Sequence, residues 1–474
     1  MKTLNLLLAF TALTAGQVYA QQAPVAAGCN RDNSNAASQV ISCYRQQLAA
    51  MPLNYALVST EMFENVEIRK YQMISQSWSP DSLVSPAQWK EDVTIGIPRS
   101  PKSPKALIAV DISDDSLLKV VQQTNTIVIS LKTIPTRDLV YQQDNKPLEE
   151  DDSIARTWKL YAEHPAKRQQ LPLQIPMTAT ISQTIRLAKK ELVRWHIDEF
   201  IVAGASKRGW ATWLTAISDP NVVAVVPFVI DVLNTKSAIL NMYKTYGGNW
   251  PIAFAPYYNQ GIDRLVNNPD FLKMLNIIDP MQYVGTQAQS GLAIPKYIVN
   301  ASGDDFFPPD NSRFYYEKLP GIKSLRIAPN TGHIGIQDYI QQSLIAFINR
   351  LQDGRPLPVI TTAPYRQSNS QNLTVHFSEK PQKVLRWTAT NSSARDFRFA
   401  CGITYAPTPL TVKAGNNVST SLNYNGPGWQ ATFVEATFTD GYVATTQVYI
   451  TPDSQYPKVA PPSNDAGCQT LPGR

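Results

Sequence analysis

Residues 201–210 read Ile201-Val202-Ala203-Gly204-Ala205-Ser206-Lys207-Arg208-Gly209-Trp210. An apolar run halts at a glycine, a serine follows two residues on, and a second glycine closes the stretch. A buried strand that turns sharply into a helix has this signature, because the tight turn lifts the serine hydroxyl clear of the sheet edge. A strand of this kind, buried on both faces, belongs to a parallel sheet covered by helices. One detail departs from the usual Gly-x-Ser-x-Gly spacing. Arg208 takes the fifth position and the glycine comes one later, so the arginine must turn away from the sheet.

The flanking sequence repeats the theme. Residues 106–110 and 126–130 are short, continuously apolar runs, with a helix expected at 115–123 between them. Residues 178–195 set Ile181, Ile185, Ala188, Leu192 and Trp195 at helical spacing. Strands expected at 200–203, 222–230, 295–300 and 325–328 alternate with helices at 209–218, 314–318 and 336–351. That alternation predicts an α/β fold with a doubly wound, mostly parallel sheet. Upstream, residues 66–78 read as a strand with one slip in phase, and residues 21–50 as an irregular leader. Residues 232–294 break the alternation and predict a helical cap insertion over the C-terminal edge of the sheet. Pro356, Pro358 and Pro364 mark a boundary. Beyond it, residues 373–377, 383–388, 397–403, 430–437 and 442–449 are short alternating strands, the pattern of an antiparallel β-sandwich. The expected layout is a signal peptide at 1–20, an α/β domain at 21–355 with its cap at about 232–294, a sandwich at 356–455 and a tail at 456–474.

Composition narrows the function classes. A chain of 474 residues can bury a large core. Its net charge of +6 is small for that length, and no long basic run or arginine–aromatic stripe marks a nucleic-acid partner. Lys2, the apolar stretch 6–15 and Val18-Tyr19-Ala20 form a cleavable signal peptide, which predicts a secreted or periplasmic protein. No later run of about 20 apolar residues predicts a membrane span. Cys29, Cys43, Cys401 and Cys468 make an even count, and in an exported chain that points to disulfides. Sequence proximity favours Cys29–Cys43 and Cys401–Cys468 among the three pairings. No CxxC pair or HExxH motif is found, so no metal site and no cofactor are expected.

A serine hydroxyl is a poor nucleophile at neutral pH. It needs a histidine to take its proton and an acid to orient that histidine. In α/β-hydrolases the chain order is nucleophile, acid, histidine. Of four histidines, His164 and His196 precede Ser206 and His376 lies in the expected sandwich. His333 remains, in a loop between the last short strand and the last helix. The acid is expected after the strand at 295–300, where Asp304 is the first choice and Asp305 the second. Asp231, at the end of the preceding strand, competes with them. The oxyanion hole is expected from the backbone amide of Lys207 and a second amide near residues 132–134, with Ile134 as the candidate. Lys207 and Arg208 either present charge to an anionic substrate or lie along the helix surface.

Several stretches together resemble the PhoPQ-activated pathogenicity-related protein family, which also takes in secreted autocrine proliferation repressor proteins. They are Ser-Gln-Ser-Trp at 75–78, Gly-Ala-Ser-Lys-Arg-Gly-Trp at 204–210, Ile-Asp-Val-Leu-Asn at 230–234, Tyr-Gly-Gly-Asn-Trp-Pro at 246–251 and Ser-Gly-Asp-Asp-Phe-Phe at 302–307. Pro-Asn-Thr-Gly-His at 329–333, Arg-Trp-Thr-Ala-Thr-Asn at 386–391 and Arg-Asp-Phe-Arg at 395–398 complete the set. The resemblance implies an exported α/β-hydrolase fold with a C-terminal β domain. It brings no settled substrate, and some members are regarded as signals rather than enzymes.

The functional expectation is a secreted serine hydrolase acting on a small-molecule ester or a peptide through an acyl-enzyme. Trp250, Tyr257 and Tyr258 of the cap are expected to line its substrate pocket. The C-terminal domain is the candidate surface for a carbohydrate or protein partner. The alternative is a secreted signalling or virulence-associated binding protein on a hydrolase scaffold with weak or no catalysis.

Overall fold

The β-branched and aliphatic runs pair in the order that a mostly parallel sheet requires. The computed structural model describes residues 29–30, 35–142, 144, 146–367, 370–463 and 465–474. The signal peptide expected at 1–20 lies outside them. The central sheet comprises β1 (Asn54–Phe63), β2 (Val66–Ser77), β3 (Gln88–Pro98), β4 (Lys105–Val110), β5 (Ile127–Leu131), β6 (Glu199–Ala205), β7 (Val222–Phe228), β8 (Lys296–Ala301) and β9 (Lys323–Ala328). Their spatial order is β1-β2-β3-β5-β4-β6-β7-β8-β9. The six strands from β5 to β9 run parallel, and β1, β2 and β3 join antiparallel at one edge. Leu107, Ile108, Ile129, Val202 and Val225 are fully buried. Each such side chain contributes about 1.5–3 kcal/mol relative to exposure, so the centre of the sheet is its most rigid part. The phase slip read in β2 is a register shift between Ile74 and Gln76 against β3.

The helices flank the sheet as α1 (Val40–Ala49), α2 (Asp114–Thr124), α3 (Glu150–Glu163), α4 (Gln174–Glu191) and α5 (Lys207–Ser218), and Gln337–Gln352 closes the α/β region. The irregular leader expected at 21–50 is corrected by α1. Val40, Ile41, Tyr44 and Leu48 form its buried stripe, and the Cys29–Cys43 disulfide pins its first turn. The helix expected at 314–318 is instead a pair of 3-10 turns, Asn311–Phe314 and Tyr316–Lys318. Residues 232–294 hold short helices, among them Thr235–Thr245, Ala255–Asn259 and Pro269–Ile278, as the cap reading anticipated.

The C-terminal region is antiparallel and strand-rich. One sheet joins Ile360–Gln367, Ser370–Phe377 and Asn417–Ser421. The other joins Ala406–Pro409, Lys383–Asn391, Trp429–Thr437 and Val443–Thr445, with Tyr449–Thr451 on Trp429–Thr437. The strand expected at 397–403 does not form. That segment is a loop around the 3-10 turn Phe399–Cys401. Its conformation is held by the buried Asp396–Arg398 ion pair (2.6 Å) and the Cys401–Cys468 disulfide, not by a strand ladder.

The two regions share one apolar cluster, in which Leu373, Val375 and Val434 join Leu107, Ile201 and Phe347. The buried pair Arg395–Asp310 (2.7 Å) adds a charge-assisted link across the same junction. Beyond it the chain returns to the cap. Thr470–Pro472 pairs antiparallel with Asn249–Pro251, and Arg474 stacks 3.7 Å over the Tyr258 ring while bonding Asp263 (2.9 Å).

Candidate active site

The elbow takes its shape from β6 and α5. Ser206 stands between them with φ 55° and ψ −128°, a sparsely populated conformation that costs about 1–3 kcal/mol and persists only where the surroundings enforce it. Its amide donates to Phe228 O (2.8 Å) at the end of β7, and its carbonyl accepts from Trp210 N (3.0 Å). A side chain at 204 would bring its Cβ within 2.7 Å of Arg208 O, and one at 209 would come within 2.8 Å of Gly204 O and 2.9 Å of Ile230 Cγ2. Both glycines are therefore steric requirements. The second falls at 209 because position 208 faces outward, where Arg208 bonds Asp111 and Glu150 (2.9 Å).

Asp304 and His333 meet across the ends of β8 and β9. The His333 Nδ1 lies 2.9 Å from Asp304 Oδ2 and 3.1 Å from Oδ1. Asp304 Oδ1 also accepts from the amides of Phe306 (2.8 Å) and Phe307 (3.2 Å), which fixes the carboxylate before it meets the ring. Burial opposes a charge on His333, but the Asp304 carboxylate outweighs it and holds the imidazole pKa above its ordinary value. Asp305 bonds the His333 backbone amide (3.3 Å) rather than the ring. Asp231 is instead buried under the Tyr315 hydroxyl (2.6 Å), near enough to Asp304 to feel its charge. Burial pushes its carboxyl up to about 8 against that hydrogen bond.

Ser206 and His333 line one cavity of about 930 Å3. Among the described residues no hydrogen bond joins their side chains, a separation common in unliganded sites that close on substrate. Lys207 and Arg208 also line the cavity, but with their charges answered. Lys207 Nζ sits 2.7 Å from Glu150 and 3.1 Å from Asp151. Burial disfavours ionisation of Glu150, yet Arg208 and Lys207 overcome it and hold its carboxyl at about 2. The four charges form a bracket that locks the start of α3 to the elbow.

The amide of Lys207 opens α5, where first-turn N–H groups have no intrahelical partner. The second donor expected at Ile134 is not at the cavity. Ile134 is fully buried in the main core, and Lys132 alone of residues 132–134 reaches the cavity wall. The reason is strand order: β4, not β5, neighbours β6, the strand that leads into Ser206. The loop after β4 brings Asp111, Ile112 and Ser113 to the cavity. The Asp111 amide is spent on Leu131 O (2.9 Å), which leaves Ile112 as the next amide along that loop.

The family model of the PhoPQ-activated pathogenicity-related proteins matches residues 41–398. The chain belongs to this family. Autocrine proliferation repressor protein A of Dictyostelium discoideum is 30% identical over 400 residues, spanning 77% of this chain and 79% of that protein. Among solved structures, acetyl xylan esterase from Paenibacillus sp. R4 superposes with a TM-score of 0.45 at 14% identity, covering 68% of this chain and 96% of that one. Acetyl xylan esterase 1 from Thermoanaerobacterium sp. JW/SL YS485 gives 0.42 at 14%, covering 68% and 95%.

The span matched by the PhoPQ-activated pathogenicity-related family contains Ser206, Asp304 and His333. The cavity wall extends past it, to Ala400 and Gly467, each adjoining a cysteine of the Cys401–Cys468 disulfide. Their pairing, expected from sequence proximity, brings residue 467 to the cavity wall, which no local pattern announces. A second, smaller hollow adjoins Ser206. Of the three cap aromatics expected at a substrate pocket, Tyr257 lines this hollow and Trp250 and Tyr258 do not. Trp250 stacks behind Phe254 with centroids 4.7 Å apart, and Tyr258 lies under Arg474. Phe254, Phe306 and Phe307 line the hollow instead. The Phe-Phe pair directly after Asp304-Asp305 was the sequence signal for the last two.

Proposed function

We propose that this protein is an exported serine hydrolase whose triad is Ser206, His333 and Asp304. The carrying observation is the strained Ser206 elbow sharing a cavity with an imidazole already held by a carboxylate. Two disulfides agree with an extracellular or periplasmic site of action. No helix among the described residues is long and apolar enough to cross a membrane.

His333 Nε2, opposite the Asp304-bound nitrogen, takes the Ser206 proton as Oγ attacks the acyl carbon. Asp304 orients the ring and stabilises the imidazolium. The developing oxyanion is met by the amides of Lys207 and Ile112, each donor of this kind being worth about 3–4 kcal/mol of barrier. His333 then protonates the leaving group, and water discharges the acyl-enzyme by the same route in reverse. An ester is favoured over a peptide, since no motif here marks recognition of a peptide backbone.

A fluorophosphonate probe tests the reading. It should label the oxidised, folded protein at Ser206, and Ser206→Ala should abolish labelling and cut turnover on the order of 10^6-fold. Absence of labelling on folded protein would move the assignment to the second reading, a secreted signal on a hydrolase scaffold, which draws on the name of the Dictyostelium relative.

A further inference from the structure

Two hollows meet at Ser206, and they differ in one respect that fixes substrate orientation. The larger one, about 930 Å3, contains His333. The smaller one, about 50 Å3, is lined by Ser206, Lys207, Phe306 and Phe307 but not by His333. In acyl transfer the leaving oxygen must receive the proton that His333 carries, so the alcohol half lies on the histidine side. The acyl half stays bonded to Oγ and must occupy the other side. From this partition we infer that the substrate is an ester of a short acyl chain, about two to four carbons, whose alcohol half sits in the large open cavity. The inference rests on the hydrolase reading above and adds its substrate class.

The walls of the small hollow support an alkyl occupant. Trp158, Trp210, Ile239, Met242, Phe254 and Tyr257 line it, and the Asp151 carboxylate that also reaches it is held by Lys207 (3.1 Å) and the Tyr257 hydroxyl (3.0 Å). The polar atoms of the aromatic side chains are already engaged. Trp158 Nε1 donates to Gln174 (3.2 Å), Trp210 Nε1 to Ile278 O (2.6 Å) and the Tyr257 hydroxyl to Asp151 (3.0 Å). The hollow therefore offers an incoming group mainly carbon. It is also stiff, because Trp158 packs against the rings of Trp210 (5.7 Å), Tyr257 (5.2 Å) and Phe271 (5.7 Å). A water-sized group takes about 10–15 Å3 of such space, so the hollow holds roughly four water-sized groups, room for a chain of a few carbons. The large cavity is rimmed by Asp111, Lys132, Glu150 and Gln337, and suits a bulky alcohol with polar groups.

The chemistry balances with water alone. The Oγ–acyl bond forms as the acyl–oxygen bond breaks, and the serine proton passes through His333 to the departing alkoxide. Water then adds to the acyl carbon, its proton returns through His333 to Ser206 Oγ, and a short carboxylic acid leaves.

The test uses the full oxidised protein and 4-nitrophenyl acetate, butyrate, hexanoate and octanoate. kcat/KM should hold through butyrate and fall at least roughly tenfold by octanoate, the scale of an overfilled apolar pocket. Met242→Ala should raise the octanoate-to-acetate ratio by about tenfold, and the milder Ile239→Val should move it the same way. The ratio is internal to one preparation, so a partly folded variant still reports it. Octanoate turned over as well as acetate by the wild type, or an unchanged ratio in both variants, overturns the acyl assignment while fluorophosphonate labelling of Ser206 still stands. Loss of that labelling together with all ester turnover overturns the hydrolase reading and the acyl assignment with it.

Discussion

The two sides of the cavity are built in opposite ways. On one side, Ser206, Asp304 and His333 each follow a strand of one parallel sheet, so a rigid scaffold delivers three groups from one edge. On the other, Ala400, Gly467 and the cap residues Ile252 and Ala253 come from segments far apart in the chain, held by a disulfide and a three-residue strand pair. The contrast separates chemistry from enclosure. On the proposed hydrolase reading, the sheet edge sets what can react, and the tethered wall sets what can stay in reach.

The largest expected effect lies on the sheet side. Asp304→Asn should lower kcat about 10^4-fold, because the ring loses its orienting anion and its preferred tautomer. In the wild type, kcat/KM should rise with pH as His333 loses its proton, with the midpoint above the ordinary histidine value because Asp304 favours the protonated ring. Asp231→Asn should leave the rate within tenfold. A larger loss from Asp231→Asn than from Asp304→Asn would reverse the assignment of the acid.

The tethered wall should respond in stability first. Replacing both Cys401 and Cys468 by serine opens a closure of 67 residues and should cost about 4 kcal/mol, against about 3 for the 14-residue Cys29–Cys43 closure. Denaturant unfolding reads both. Only the first pair should also lower kcat/KM, since only it adjoins the cavity wall; equal rates in the two double variants would show that the wall contributes nothing to turnover.

A smaller effect serves as a control remote from both sides. Glu91 is buried on β3 with Ser75 (3.0 Å) as its partner, and burial pushes its carboxyl up to about 8. The folded state then binds a proton that the unfolded chain has released, so stability should fall as the pH rises from 4.5 toward 8. Glu91→Gln should remove that pH dependence, about 5 kcal/mol across this range, without moving the rate profile. A changed profile would mean that the sheet edge is less insulated than its packing indicates.

Legibility followed the same divide. The elbow was readable because a tight strand-to-helix corner dictates glycine and serine locally. His333 was readable by elimination among four histidines. Asp304 could be ranked but not separated from Asp231, since both follow strands and only the side-chain contacts distinguish them. The second amide donor was expected at Ile134, away from the cavity, because neighbour relations in a sheet are long-range, and no local pattern says that β4 rather than β5 adjoins β6. Helix α1 was obscured by the alanines and glutamines around its buried stripe. The segment at 397–403 alternated like a strand, but there Arg398 and Asp396 are buried as partners of each other.

The covalent link behind Gly467 has a physiological consequence. Thiols in a reducing cytoplasm would remain unjoined, and the segment that finishes the cavity mouth would be held there by the short strand pair and by the Arg398 guanidinium, which donates to Cys468 O (2.8 Å) and Gln469 O (3.0 Å). Under the proposed hydrolase reading, oxidation would add the covalent tether beside the serine only outside a reducing compartment, so the finished wall and the place of action would go together.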